Sequence, residues 1–168
     1  MRIIKAINFA ATKHQGQVRR GSGLPYVTHP IIVSQLINQF KGDSKNIDEL
    51  QIAGLLHDVL EDTECDQFEI EREFGSMVAS LVMEMTSDES RIKEIGKNAY
   101  LKAKMVSMSK YGFILKLVDR LANVSDGPTA KYLKDTLELM AYLKTERKGL
   151  TARHMMIIGE IEKTCYAS

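Results

Sequence analysis

The chain has 168 residues, enough for one domain with a buried core, and we interpret residues 1–168 as a single domain. Its composition, 44% hydrophobic and 27% charged, is that of a soluble globular protein and excludes a disordered chain. A formal net charge of +1 excludes the basic balance expected of a dedicated nucleic-acid binder, although a small anionic ligand needs only a local cluster of cations.

Cysteine usage and the N-terminus bear on where the protein works. Cys65 and Cys165 have no metal-ligand spacing and are too few for a disulfide framework in a chain of this size. The N-terminus lacks a long apolar core, and no stretch approaches the about 18 uncharged apolar residues that a membrane span needs. We therefore expect a cytoplasmic protein that does not cross a membrane.

Helical periodicity dominates the chain and strand alternation is almost absent, so the sequence predicts an all-α fold. The first helix is predicted over residues 3–14, where His14 closes the apolar face as a packing residue. Residues 15–30 are rich in glycine and proline and carry an arginine pair, which predicts a loop. Pro30 is expected at the first position of the second helix, with His29 at the mouth of that helix.

The apolar segment 54–63 contains one imidazole and three carboxylates. If the segment is helical, Glu61 lies one turn above His57, and Asp62 lies one turn above Asp58. An imidazole beside a carboxylate is a natural start to a divalent-metal site, and carboxylates one turn further on can place and deprotonate a water. A capped and solvated helix end is the alternative interpretation of the segment taken alone.

Helices are predicted for most of the remaining chain. Asp48 is expected to cap the helix that leads into His57, and Asp66 to cap a short helix that Gly75 ends. Residues 87–99 are polar and charged and predict an exposed connection. Further helical segments are predicted at residues 77–85, 100–105, 112–124, 129–145 and 151–165.

Residues 112–124 form the most apolar stretch, and Asp119 and Asn123 interrupt it on one face of the predicted helix. A carboxylate inside so apolar a run is costly unless it is paired or bound to a metal. A surface ion pair between Asp119 and Arg120 is the weaker interpretation, because both neighbours of this pair in the sequence are apolar.

Taken together, these segments resemble the HD-domain hydrolases of the RelA/SpoT class, and among them the stand-alone small alarmone hydrolases. The resemblance covers residues of about 6–125, and it implies an all-α, single HD-domain helical bundle with a metal site in a central cleft. The matching pieces are Ala11–Gln17, Arg20–Pro30, His57–Thr63, Phe74–Gly75 and Lys116–Asn123.

The resemblance also implies a role for each candidate residue. One Mn²⁺ ion would be held by His29, His57, Asp58 and Asp119, although the same ligands would also hold Fe²⁺, Co²⁺ or Ni²⁺. The attacking water would be activated or placed by Glu61 and Asp62. The nucleotide would be contacted by Arg20, Ser22 and Asn123, with the flat guanidinium of Arg20 stacked on the base.

The activity that the resemblance implies is hydrolysis of the 3′-pyrophosphate of ppGpp or pppGpp to GDP or GTP plus pyrophosphate. Because no synthetase segment or regulatory tail follows residue 168, we expect the protein to degrade this alarmone signal of the stringent response and not to make it. The expected partner is a small-molecule nucleotide, with neither nucleic acid nor membrane, and the oligomeric state is left open.

Three positions depart from the family pattern. Gly21 stands where a lysine is usual, Ala122 where a histidine or aromatic residue is common, and the segment 123–126 lacks the arginine often found just after the asparagine. These departures leave open the same chemistry on adenosine 3′-pyrophosphates or NADPH. A non-catalytic nucleotide-sensing HD domain is a second alternative, against which the complete set of carboxylates argues.

Overall fold

The computed structural model describes residues 1–20 and 22–167, and these residues confirm the all-α prediction. They form no β-strand, only an isolated bridge between Val18 and Pro25. Within the described part of the chain, no helix is long and apolar enough to cross a membrane. Gly21, one of the departures from the family pattern, lies outside the described residues.

The chain divides into two compact units, Met1–Thr86 and Ser87–Ser168. The interpretation of residues 1–168 as one domain stays a prediction. Unit 1 contains α1 (Arg2–Lys13), α2 (Thr28–Lys41), α3 (Ile47–Leu56), α4 (Val59–Asp62), α5 (Gln67–Phe74) and α6 (Ser76–Met85). Unit 2 contains α7 (Glu89–Ile95), α8 (Lys97–Ser107), α9 (Lys110–Val124), α10 (Ala130–Glu146) and α11 (Ala152–Ala167).

Helices α2 and α3 of unit 1 form a closely packed antiparallel hairpin. A Cβ added at Gly54 would collide with Cδ1 of Ile37 and would contact Cγ1 of Val33, so the absence of a side chain at Gly54 lets these residues of α2 pack closely on α3. Val33 and Ile37 are fully buried, and they form the apolar face with which α2 meets α3. The hairpin brings the start of α2, which carries His29, next to the residues that follow α3.

The boundary of α3 differs from the prediction in a way that matters for the site. A continuous helix was expected through His57 and Asp58, but α3 ends at Leu56, a turn follows, and α4 is a separate short helix. The ring nitrogen Nδ1 of His57 lies 2.7 Å from the carbonyl oxygen of Gly54, the acceptor that a continued helix would offer to the amide of Asp58. Side-chain competition for this acceptor accounts for the break.

Two predicted helix starts are also corrected. Helix α2 begins at Thr28, which makes Pro30 its third residue and not its first. The N-cap of α3 is Asn46, and Asp48 instead lies in the first turn, where its negative charge interacts favourably with the helix dipole.

The segment 87–99 is exposed, as predicted, but it is helical and not an irregular connection, because it contains α7 and the start of α8. Asp88 caps α7 by accepting hydrogen bonds from the amides of Ser90 and Arg91. The described residues of α7 include no buried side chain, so the helix has no apolar face that periodicity could reveal. By contrast, the Asp66 cap of α5 is as predicted.

Helix α9 is the most buried element of unit 2 and packs against α10 and α11. Arg147, which follows α10, donates hydrogen bonds to the carbonyl oxygens of Met105 and Met108 at the end of α8. Its guanidinium also lies 3.9 Å from the ring centroid of Phe113 in α9. Arg147 thus holds the α8–α9 connection within the core of this unit.

Candidate functional site

His29, His57 and Asp58 lie together at the open end of the α2–α3 hairpin. Nε2 of His57 is 2.9 Å and Nε2 of His29 is 3.9 Å from the same oxygen, Oδ2 of Asp58. The two imidazole rings meet edge to face with 5.2 Å between their centroids. The histidine side chains are only 1% and 3% exposed, whereas that of Asp58 is 19% exposed, so the carboxylate lies at the rim of the group.

The hydrogen bond of His57 to the backbone determines which of its nitrogens can bind a ligand. A carbonyl oxygen can only accept, so Nδ1 of His57 carries the proton that it donates to Gly54. Nε2 of the neutral ring then presents its lone pair on the side of Asp58 and His29. This is the arrangement in which a protein histidine serves as a metal ligand, with the other nitrogen fixed by a carbonyl oxygen.

Glu61 and Asp62 follow Asp58 within α4. Their backbone amides both donate to the carbonyl oxygen of Asp58, at 3.2 Å and 2.9 Å, which makes α4 a single turn built on that residue. Both side chains keep solvent exposure. Partial burial raises the pKa of the Asp62 carboxyl, and the nearby carboxylates of Asp58 and Glu61 raise it further.

The predicted nucleotide contacts of unit 1 lie in the loop that follows α1. Arg20 is exposed, and its side chain makes no hydrogen bond or ion pair with the residues that the structure describes. Ser22 is also exposed, with its hydroxyl oxygen 3.5 Å from the amide nitrogen of Leu24. Both side chains are therefore accessible to a ligand.

Asp119 and Asn123 belong to α9 in unit 2. Asp119 is only 8% exposed, which agrees with its position in an apolar run. Nδ2 of Asn123 donates to Oδ1 of Asp119 at 2.7 Å, and Nζ of Lys116 lies 3.3 Å from Oδ2. These three residues occupy one face of the helix, as the spacing of three and four predicts. The buried carboxylate is thus oriented by two donors from its own helix.

Two residues near the carboxylates received no role from the sequence. The hydroxyl of Tyr26 donates a 2.6 Å hydrogen bond to Oδ2 of Asp58. Lys116 forms the ion pair with Asp119 described above. The position of Lys116, three residues before Asp119 on a helix, was a usable signal for their ion pair. Tyr26 reaches Asp58 from a loop, and helical periodicity carries no information on that contact.

The donors in unit 1 fit a divalent cation by their chemistry. Two neutral imidazoles and one carboxylate are the ligands preferred by Mn²⁺, Fe²⁺, Zn²⁺ and similar ions. The histidine nitrogens are buried, their tautomer is compatible with metal binding at His57, and the carboxylate reaches solvent at one edge.

A comparison with protein families agrees with this helical architecture and its histidine–aspartate pair. A family model described as HD domain matches residues 6–151. The chain therefore belongs to the HD-domain family, and the predicted family resemblance is confirmed.

Curated relatives of two lengths are similar to the chain. The guanosine-3′,5′-bis(diphosphate) 3′-pyrophosphohydrolase of Spiroplasma citri is 37% identical over 161 residues, which cover 93% of this chain and 19% of that protein. The protein of the same description from Homo sapiens, MESH1, is 38% identical over 126 residues, covering 74% of this chain and 68% of that one. The chain thus spans about a fifth of the length of the longer relatives.

One solved structure is similar along nearly the whole chain. It is described as a metazoan ortholog of SpoT that hydrolyzes ppGpp and plays a role in starvation responses. Its TM-score is 0.78 and its sequence identity 28%, with 96% of this chain and 94% of that chain covered. The all-α fold is therefore shared with this protein.

Proposed function

We propose that the protein is a metal-dependent hydrolase that removes the 3′-pyrophosphate of ppGpp and pppGpp, giving GDP or GTP and pyrophosphate. One observation carries the proposal: two buried imidazoles converge on Asp58 in a chain that belongs to the HD-domain family. The similarity to relatives named as ppGpp 3′-pyrophosphohydrolases supports the choice of substrate.

The proposed metal ligands are His29, His57, Asp58 and Asp119. For Asp119 the support is the resemblance of the α9 segment to the family motif, together with a buried carboxylate that Lys116 and Asn123 of the same helix orient. Mn²⁺ is the proposed ion, because the resemblance implies it. When bound, such an ion supplies Lewis acidity for a phosphate oxygen and lowers the pKa of water.

Glu61 and Asp62 are the proposed groups that place and deprotonate the attacking water. Because the amides of Glu61 and Asp62 both donate to the carbonyl oxygen of Asp58, both carboxylates lie one helical turn beyond the proposed ligand residue. Glu61 is the proposed proton-handling or water-positioning group, and Asp62 lies beside it with a carboxyl whose pKa is raised by partial burial. The water attacks the phosphorus next to the ribose 3′ oxygen, and that oxygen leaves with the nucleoside.

The proposed nucleotide contacts use side chains that the fold leaves accessible. Arg20 stacks on the base through its guanidinium, and Ser22 donates to the nucleotide from the same loop. Asn123 is the third proposed nucleotide contact, and its Nδ2 group donates to Asp119. We also propose a cytoplasmic location, which agrees with both cysteines being free thiols.

A nucleotide panel tests the substrate. Purified protein with Mn²⁺ is incubated with ppGpp, pppGpp, an adenosine 3′-pyrophosphate and NADPH, and the initial rate on each is compared. The proposal predicts the highest kcat/KM on the guanosine compounds. A higher kcat/KM on NADPH or on the adenosine compound would make that compound the preferred substrate. Binding without turnover of any compound would favour a nucleotide sensor.

A further inference from the structure

Tyr26 connects the loop after α1 to the carboxylate of Asp58. Its hydroxyl donates a hydrogen bond of 2.6 Å to Oδ2 of this carboxylate. The same oxygen is 2.9 Å from Nε2 of His57 and 3.9 Å from Nε2 of His29. One carboxylate oxygen therefore lies close to two imidazole rings and one phenol hydroxyl.

The ring of Tyr26 is itself held in place from several directions. It packs on the buried ring of His14 with 4.7 Å between centroids, and it meets the ring of His29 at 6.1 Å. The amide of Tyr26 donates to the carbonyl oxygen of Gln17, and the amide of His29 donates to the carbonyl oxygen of Tyr26. These contacts fix where the hydroxyl points before any ligand arrives.

Gln17 makes a second connection between the loop and α4. The side-chain oxygen of Gln17 lies 2.8 Å from Nδ1 of His14, and Nε2 of Gln17 donates to the carbonyl oxygen of Asp62 at 2.8 Å. The loop thus holds α4 at both ends, at Asp58 through Tyr26 and at Asp62 through Gln17. Two of the pieces that match the family pattern, 11–17 and 20–30, are therefore joined by hydrogen bonds to a third such piece, 57–63.

A residue that donates a hydrogen bond to a metal-binding carboxylate contributes to the affinity for the metal. Such a partner fixes the plane of the carboxylate, and removing it typically weakens metal binding about 10–100-fold. The carboxylate of Asp58 is partly exposed and could turn away to solvent, so a hydrogen bond that holds its orientation matters for this residue.

We propose that Tyr26 is a positioning residue of the metal site: its hydroxyl holds the Asp58 carboxylate in the orientation in which Asp58 shares one divalent cation with His29 and His57. The proposal rests on the proposed metal site, but not on the identity of the nucleotide. Tyr26 acts through Asp58 and takes no part in the chemistry itself.

The test measures Mn²⁺ binding without nucleotide, so that it stands apart from the hydrolase assay. The dissociation constant is determined by calorimetry for the full chain and for Tyr26→Phe, which keeps the ring and removes the hydroxyl. Tyr166→Phe is the matched control, because it removes a hydroxyl from a side chain that is 78% exposed in α11. The thermal midpoint of each metal-free protein is measured alongside.

We expect Tyr26→Phe to weaken Mn²⁺ binding about 10–100-fold, with an unchanged thermal midpoint of the metal-free protein and no effect of Tyr166→Phe. In an Asp58→Ala background, Tyr26→Phe should change the residual affinity no further. Unchanged Mn²⁺ affinity in Tyr26→Phe would overturn the proposal, whether the variant loses stability or only raises KM. An equal loss in the Asp58→Ala background would also overturn it, because Tyr26 would then act independently of Asp58.

Discussion

Nε2 of His57 lies 2.9 Å from Oδ2 of Asp58, although the two residues are adjacent in the sequence. Adjacent side chains of a continuous helix point about 100° apart and do not face one another. Here α3 ends at Leu56, and His57 and Asp58 occupy the turn before α4 with both backbones in the right-handed helical region. The ring of His57 and the carboxylate of Asp58 reach one another within this turn, and both belong to the proposed metal site.

The ligand assignment predicts the behaviour of Asp58→Ala and Asp119→Ala. Each variant should lose Mn²⁺ from the purified protein, and the rate should fall more than about 100-fold, beyond the loss typical of an outer hydrogen-bond partner. Metal analysis and initial rates measure both effects, with the chelator-treated protein as reference. Full activity in either variant, or in protein shown to be free of metal, would contradict the assignment.

Arg20→Ala tests the proposed contact with the base. If the guanidinium stacks on the base, KM should rise substantially while the Mn²⁺ content stays the same, because ground-state binding is lost and the metal site is not touched. Arg91→Ala is the control, since Arg91 is an exposed arginine of α7 that pairs only locally with Glu94. An equal KM for Arg20→Ala and the control would show that Arg20 is a solvated surface residue that does not contact the base.

Glu61→Gln separates proton handling from metal binding. The change removes the charge and keeps the size, so kcat should fall about 10²–10⁴-fold, as for the loss of a general acid or base. Metal content and nucleotide affinity should be retained. Glu64→Gln, in the exposed segment just after α4, should leave kcat unchanged. Loss of the metal from Glu61→Gln would make Glu61 a ligand and contradict its proposed role.

The α2–α3 hairpin makes a prediction about stability. Gly54→Ala places a Cβ against Ile37, and overpacking of this kind costs about 1–3 kcal/mol in the free energy of unfolding. Gly159→Ala is the matched control: no described atom lies within 4 Å of the added Cβ, and the change gains about 0.5–1 kcal/mol from helix propensity and backbone entropy. Denaturant unfolding of the two variants should shift in opposite directions. A stabilised Gly54→Ala protein would show that the two helices can separate at little cost.

The sequence predicted most helices, because their apolar faces and caps are local signals. Asp66 is an example, since its side chain accepts the amide of Glu69 as the spacing suggested. Helix α7 was missed because its described residues bury no side chain and its only strong signal was the cap at Asp88. Local sequence patterns therefore located the helices that bury an apolar face, and they missed α7, which buries none.

The details of the site depend on contacts that apolar periodicity does not reveal. The end of α3 follows from a bond between the ring of His57 and the carbonyl oxygen of Gly54, which competes with a backbone hydrogen bond. The contact of Tyr26 with Asp58 joins residues 32 positions apart. The bond of His57 is local but depends on the rotamer of its ring, and the contact of Tyr26 arises from tertiary structure, so the residue types could be selected from the sequence while their geometry could not.

The central claim is tested most directly by the products formed from ppGpp, followed by ³¹P NMR with Mn²⁺ present. The account predicts the appearance of GDP and intact pyrophosphate in equal amounts, in the full chain but not in Asp58→Ala. Release of single phosphates would place the cleavage at a different bond. Unchanged ppGpp after prolonged incubation with metal-loaded protein would contradict the assignment of this activity.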